Sequence, residues 1–170
     1  MTMELIGSTD PVLRTKTVDY DESEIKDLGP LIIEMHATLA NHNGVGLAAP
    51  QVGVSRSIFV ISIEGINKTF INPAVVTASD HMIVAEEGCL SLPGLRLKVN
   101  RPDAVTVTWT DENGERQISD LEGLWARAWL HEFDHLNGIM IDDRVSKLSL
   151  DMARKKLQKK LKRIKQGVAR

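Results

Sequence analysis

The sequence predicts an α+β domain: small mixed or antiparallel sheets around a helix that carries His131–His135, with a further helix at the C-terminus. Three observations predict it. Short β-branched or alternating segments follow one another between residues 58 and 110, apolar residues recur at helical spacing in three other stretches, and an Asn-Gly turn marks a hairpin. No internal repeat, low-complexity tract or linker divides the chain, so residues 1–148 read as one domain body and 149–170 as a helix belonging to it.

The elements follow in order. Residues 11–20 read as extended, opened by Pro11. Leu31, Ile32, Met35 and Leu39 share one side of a first helix that ends near Gly44, with Pro30 in its first turn, where a missing N–H costs nothing. Asn41–Gly53 reads as a loop, and Ile58–Ile63 (IFVISI) as a short strand. Phe70–Val76 and Met82–Ala85 are weaker strand candidates, whereas Leu95–Val99 and Ala104–Thr110 alternate apolar and polar positions. Asp111-Glu112-Asn113-Gly114 makes the hairpin turn. A second helix spans about Gly123 to Asn137 and stops at Gly138, and a third fills Leu150–Val168.

Composition excludes several classes. With 170 residues, 42% apolar and 26% charged, the chain can bury a core of its own and matches neither a disordered nor a fibrous protein. A single cysteine, Cys89, forms no internal disulfide, no apolar run approaches a membrane span, and Met1–Asp10 lacks the Lys or Arg of a targeting peptide. The expectation is a cytoplasmic protein. The net charge of −2 conceals nine Lys/Arg against one acid in residues 149–170, and twelve against 22 in the rest. An acidic body thus carries a basic tail.

The chemistry concentrates in His131-Glu132-Phe133-Asp134-His135. On a helix, positions i and i+4 share a face, so both imidazoles can hold one metal while Glu132 stands beside it to handle a proton. A catalytic site of this kind takes a third protein ligand. The extended protease pattern H-x-x-G-x-x-H fails, because Ile141 stands where its last histidine belongs. No Glu or His follows His135, and Asp142, Asp143 and Asp151 read as solvent-facing. Cys89, in the turn-like Glu86-Glu87-Gly88-Cys89-Leu90-Ser91, is the economical upstream ligand. In Gly44-Val45-Gly46-Leu47-Ala48-Ala49-Pro50-Gln51, small residues admit close backbone approach, and Gln51 can aim an amide N–H at a developing oxyanion. His36, His42 and His81 read as ordinary exposed or helix-end histidines, Asp134 as orienting a neighbour such as an arginine, and Ser91 as capping backbone N–H groups.

These three segments together resemble the peptide deformylases: Gly44–Gln51 matches GxGLAAPQ, Glu87–Ser91 matches EGCLS and His131–His135 matches HExDH, in the family's order and at its separations. The likeness runs from Pro11-Val12-Leu13-Arg14 to the C-terminal helix and is of the bacterial type. One departure is Leu130, where the family usually places Gln.

The resemblance implies removal of the formyl group from formyl-methionine of nascent chains, with release of formate. It implies Cys89, His131 and His135 as metal ligands, ferrous iron as the native ion with zinc, nickel or cobalt able to replace it, and hydroxide at the metal attacking the formyl carbon. Glu132 would act as general base and acid, and the Leu90 N–H with the Gln51 amide would hold the oxyanion. Val45, Gly46 and Gly88 would bind the peptide backbone, and Ala128 would line the methionine pocket. Ligand softness alone favours zinc. Glu87, beside a metal thiolate, needs a cationic partner. Arg96 is the family-matching choice, with Arg101 as a second.

Leu150, Ala153, Leu157, Leu161, Ile164 and Val168 form one apolar stripe with lysines on the other faces. In the resembling family this helix docks on the ribosome, and neither a membrane surface nor sequence-specific nucleic acid is expected. Two rivals remain: a zincin-type protease, and a non-enzymatic ribosome-binding module that would leave the metal triad unexplained. The chain is expected to act as a monomer.

Overall fold

The computed structural model describes residues 1–167; Val168, the last position of the apolar stripe, and the tail charge Arg170 lie outside the described residues. Four helices, α1 (Glu22–Ile25), α2 (Gly29–Asn41), α3 (Gly123–Leu136) and α4 (Lys147–Lys165), accompany seven strands. These are β1 (Gly46–Ala48), β2 (Ile58–Ile63), β3 (Ile66–Ala78), β4 (Met82–Cys89), β5 (Leu92–Pro102), β6 (Ala104–Thr110) and β7 (Arg116–Glu122). All pairings between strands are antiparallel, in a five-stranded sheet ordered β1-β2-β3-β6-β7 and a two-stranded β4-β5 sheet. The expected α+β class is the one found.

The IFVISI run is continuous because both faces of β2 are covered. Phe59 and Ile61 point into a cluster with Phe70, Trp109 and Trp129 of α3, whereas Ile58 and Val60 point at Met35 and Leu39 of α2. Strand β3 is longer than the sequence indicates and pairs with β2 through its first half and β6 through its second, with an irregularity between Ile71 and Ala74. Pro73 sits in that irregularity, where the ladder asks no N–H of it. The β4-β5 sheet has one inward face, on which Leu95, Leu97 and Val99 join Leu13, Met140 and Ile141 in a third cluster.

Two expectations on the N-terminal side are corrected. Residues 11–14 form a 3-10 turn rather than extended chain: Asp10 accepts the Val12 N–H at 2.9 Å and Pro11 occupies the first helical position. The supposed loop 41–53 contains β1 and a second 3-10 turn, Ala49–Val52. At the other end the stripe of α4 packs through Leu150, Ala153 and Leu157 on the third cluster, while Leu161 and Ile164 remain about half exposed.

Candidate metal centre and active site

Helix α3 lies between the two sheets and brings His131 and His135 to the end of β4, where Cys89 ends the strand. One ligand atom from each of the three residues falls within 4.8 Å of the others, and Cys89 Sγ lies 3.3 Å from His135 Nε2. The donor set, one thiolate and two imidazoles, suits a divalent transition metal and leaves a coordination position open. His131 Nδ1 meets Glu87 Oε2 at 3.0 Å, which leaves Nε2 for the metal. His135 Nδ1 is buried without a hydrogen-bond partner among the described residues.

Burial opposes a charged His131, but hydrogen bonds to Cys89 and Glu87 more than offset it and push its pKa up to about 10 in the metal-free chain. A cation on Nε2 would replace that proton, and its uptake would release protons. Burial drives His135 well below its usual value, which keeps it neutral and ready to ligate.

Glu132 is buried, and burial lifts its pKa to about 7 against the opposing charges of His131 and Arg101. Its Oε2 has no partner among the described residues. Gly46 passes so close to this carboxyl that a Cβ there would stand 2.7 Å from Glu132 Cδ. A side chain at position 46 would therefore displace the carboxylate. Gln51 is oriented by its own turn: Oε1 accepts the Ala48 N–H at 2.8 Å, and Nε2 is aimed at Ser91 Oγ (3.1 Å) and Cys89 Sγ (3.6 Å). Ser91 thus positions an amide instead of capping the backbone.

A cavity of about 890 Å³ opens over the centre and is lined by Val45, Gly46, Gly88, Leu90, Ala128 and Glu132 among others. The N-terminal segment Leu5–Ser8 and the exposed His42 also line it, which sequence reasoning did not foresee. The backbone of that segment is tied down by the Ile6 N–H, which donates to the Gln51 carbonyl at 3.0 Å.

The expected Arg96–Glu87 ion pair is absent. Glu87 is held by Arg101, whose Nε and Nη2 donate to its two oxygens at 2.7 and 3.0 Å, and by Arg127 Nη1 at 2.7 Å. Arg96 is exposed on the opposite face of β5 and lies against Gly88 at the cavity mouth. Arg127 lies outside every motif of the sequence. It also donates to the carbonyls of Val99 and Ile83, fastening α3 to both strands of the small sheet. Asp134 does orient arginines, Arg101 and Arg144, as expected of it. Asp142 is more enclosed than its sequence context indicates, with a side chain 10% exposed that binds Arg14.

The sequence model of polypeptide deformylases matches residues 3–151. The chain belongs to the polypeptide deformylase family. It is 40% identical over 168 residues to the peptide deformylase of Rhizobium meliloti, covering 93% of each chain. Over 148 residues it is 40% identical to that of Thermotoga maritima, covering 87% of this chain and 90% of the relative. The Thermotoga maritima crystal structure superposes with a TM-score of 0.82 at 38% identity, over 86% of this chain and 99% of that one. A Synechococcus elongatus peptide deformylase in complex with actinonin superposes at 0.86 and 39%, over 92% and 86%. As a deformylase the chain is an enzyme that removes the N-terminal formyl group from nascent polypeptides, and its Cys89/His131/His135 cluster is where a metalloenzyme of this family can hold its ion.

Proposed function

We propose that this deformylase hydrolyses the formyl amide of formyl-methionyl chains with Cys89, His131 and His135 as metal ligands and Glu132 as the general base and acid. The observation that carries the assignment is the convergence of those three ligand atoms beside a buried carboxyl whose Oε2 is unpartnered. The ion these three residues would hold, ferrous iron in this reading, would supply Lewis acidity toward the formyl carbonyl and acidify a water.

The chain's own groups do the rest. Glu132 takes a proton as water attacks the formyl carbon, then gives it to the departing amine as the C–N bond breaks, leaving formate and a free N-terminus. Burial raises the proton affinity of this carboxyl, which suits it to take up the proton and hand it on. The Gln51 amide, already turned toward the centre by Ala48, and the Leu90 N–H stabilise the oxyanion. The backbone of Val45, Gly46 and Gly88 receives the peptide as an added strand, with Ala128 against the methionine side chain. Glu87 fixes the His131 tautomer, and Arg101 and Arg127 support Glu87.

Residues 1–148 serve as the catalytic body and residues 149–170 as the docking segment, of which the described part lies largely in α4. The basic faces of α4 and its uncovered Leu161 and Ile164 support docking on the ribosome, and the site of action is the cytoplasm. No helix among the described residues is long and apolar enough to cross a membrane.

Glu132→Gln tests the mechanism. Formate release from a formyl-Met tripeptide by iron-loaded protein falls by at least about 100-fold, with one metal still bound per chain. Retained turnover would move the proton transfer to another group.

A further inference from the structure

The metal-site carboxylate Glu87 is the inner end of a chain of charges that reaches the surface. Arg101 forks Glu87 with Nε and Nη2 and spends its remaining Nη1 on Asp134 Oδ2 at 2.8 Å. Asp134 in turn is forked by Arg144, with Nε on Oδ2 at 2.9 Å and Nη2 on Oδ1. The side chains of Glu87, Arg101 and Asp134 are 5, 4 and 8% exposed, and that of Arg144 is 41% exposed. The two buried carboxylates share Arg101, so neither is fully paired by it. Arg127 supplies the second cation to Glu87, and Arg144 supplies it to Asp134.

We propose that Arg144, outside the active-site cavity, is a positioning residue for the metal centre: by pairing Asp134 it frees Arg101 to hold Glu87, and Glu87 holds His131. The inference rests on the metal-centre assignment above. Without Arg144, the buried Asp134 keeps one hydrogen bond from one cation and draws Arg101 toward itself. The fork on Glu87 loosens, and with it the orientation and basicity of His131 Nε2. Leu130, Phe133, Asp134 and Arg144 line a second cavity, of about 450 Å³, so the outer link of the chain is reachable by a small ion from solvent.

The test uses the full chain with cobalt(II) as the probe metal. Wild type binds one cobalt and shows the visible and thiolate-to-metal bands of a Cys/His/His site. Arg144→Met, checked for a native circular-dichroism spectrum, binds cobalt about tenfold more weakly and with shifted visible bands. Its loss is in kcat rather than KM, because the peptide-binding backbone is untouched. Arg144→Lys, which keeps the charge but not the fork, recovers part of the affinity. In Arg144→Ala, millimolar guanidinium ion, but not the same concentration of sodium chloride, restores the bands. If Arg144→Met does not fold, Arg144→Lys and rescued Arg144→Ala carry the comparison. Cobalt affinity and spectrum equal to wild type, or a loss that neither Arg144→Lys nor guanidinium reduces, overturns the proposal. Failure of the wild type itself to bind cobalt with a thiolate band would instead overturn the metal-centre assignment.

Discussion

A carboxylate buried beside a thiol and two imidazoles is tolerable only when cations surround it. Burial alone would raise the pKa of Glu87, but hydrogen bonds from His131 and Arg101 hold it at about 2. Which arginine does this follows from strand parity. Glu87 pairs with Leu97 in the ladder and faces the same way as Leu95, Leu97, Val99 and Arg101, whereas Arg96 sits opposite Gly88 on the outward face. The family resemblance pointed to Arg96, while the alternation legible in Leu95–Val99 already placed Arg96 outside. Arg101→Met therefore leaves Glu87 and Asp134 underpaired in the interior and costs about 3–5 kcal/mol in urea unfolding. Arg96→Met, at an exposed position, stays within about 0.5 kcal/mol of wild type. Equal costs would return the supporting role to Arg96.

Helix α3 shows how far a single element can be read. Its histidines at i and i+4, its start at Gly123 and its stop before Gly138 were all legible, because each depends on neighbours a turn away. The stop is a Schellman closure: Gly138 N–H bonds the His135 carbonyl at 3.1 Å and Ile139 N–H the Asp134 carbonyl at 2.9 Å, with Gly138 at φ +70°. A Cβ at this residue would also stand 2.6 Å from the carbonyl carbon of Arg14, so the glycine is needed for packing as well as for its dihedral. Gly138→Ala costs about 2 kcal/mol or more, a fall of roughly 4–8 °C in Tm. An unchanged Tm would mean that the 11–14 turn moves aside freely. Strand β1 was not legible, since three residues count as a strand only by pairing with β2, whose sequence neighbourhood lies beyond the intervening turn.

At the scale of the molecule the acidic body and basic tail act as separate surfaces. The first turns of α4 are anchored by Leu150, Ala153 and Leu157, and Leu157 packs against Gly94 in the wall of the active-site cavity. Beyond them Lys159, Lys160, Lys162 and Arg163 are exposed and free to meet a polyanion. Changing these four to Glu abolishes cosedimentation with ribosomes at physiological salt, while formate release from a tripeptide stays within about twofold of wild type, since surface charges this far from the site act weakly through solvent. Cosedimentation that survives the reversal would remove the tail from docking.

The α+β class, the central strand and helices, the candidate Cys/His/His ligand set with Glu132 beside it, and the family were all legible in the sequence. Each is carried by contiguous residues whose periodicity or motif spacing is local. It is the three-dimensional fold that pairs Arg101 and Arg127 with Glu87, sets Ser91 against Gln51, walls the cavity with residues 5–8, and links Arg144 to Glu87 through Asp134 and Arg101. Those contacts include pairs 40 positions apart, such as Gln51–Ser91 and Glu87–Arg127. A buried charge takes whichever opposite charge the fold brings within hydrogen-bond reach, and sequence distance has no part in that choice.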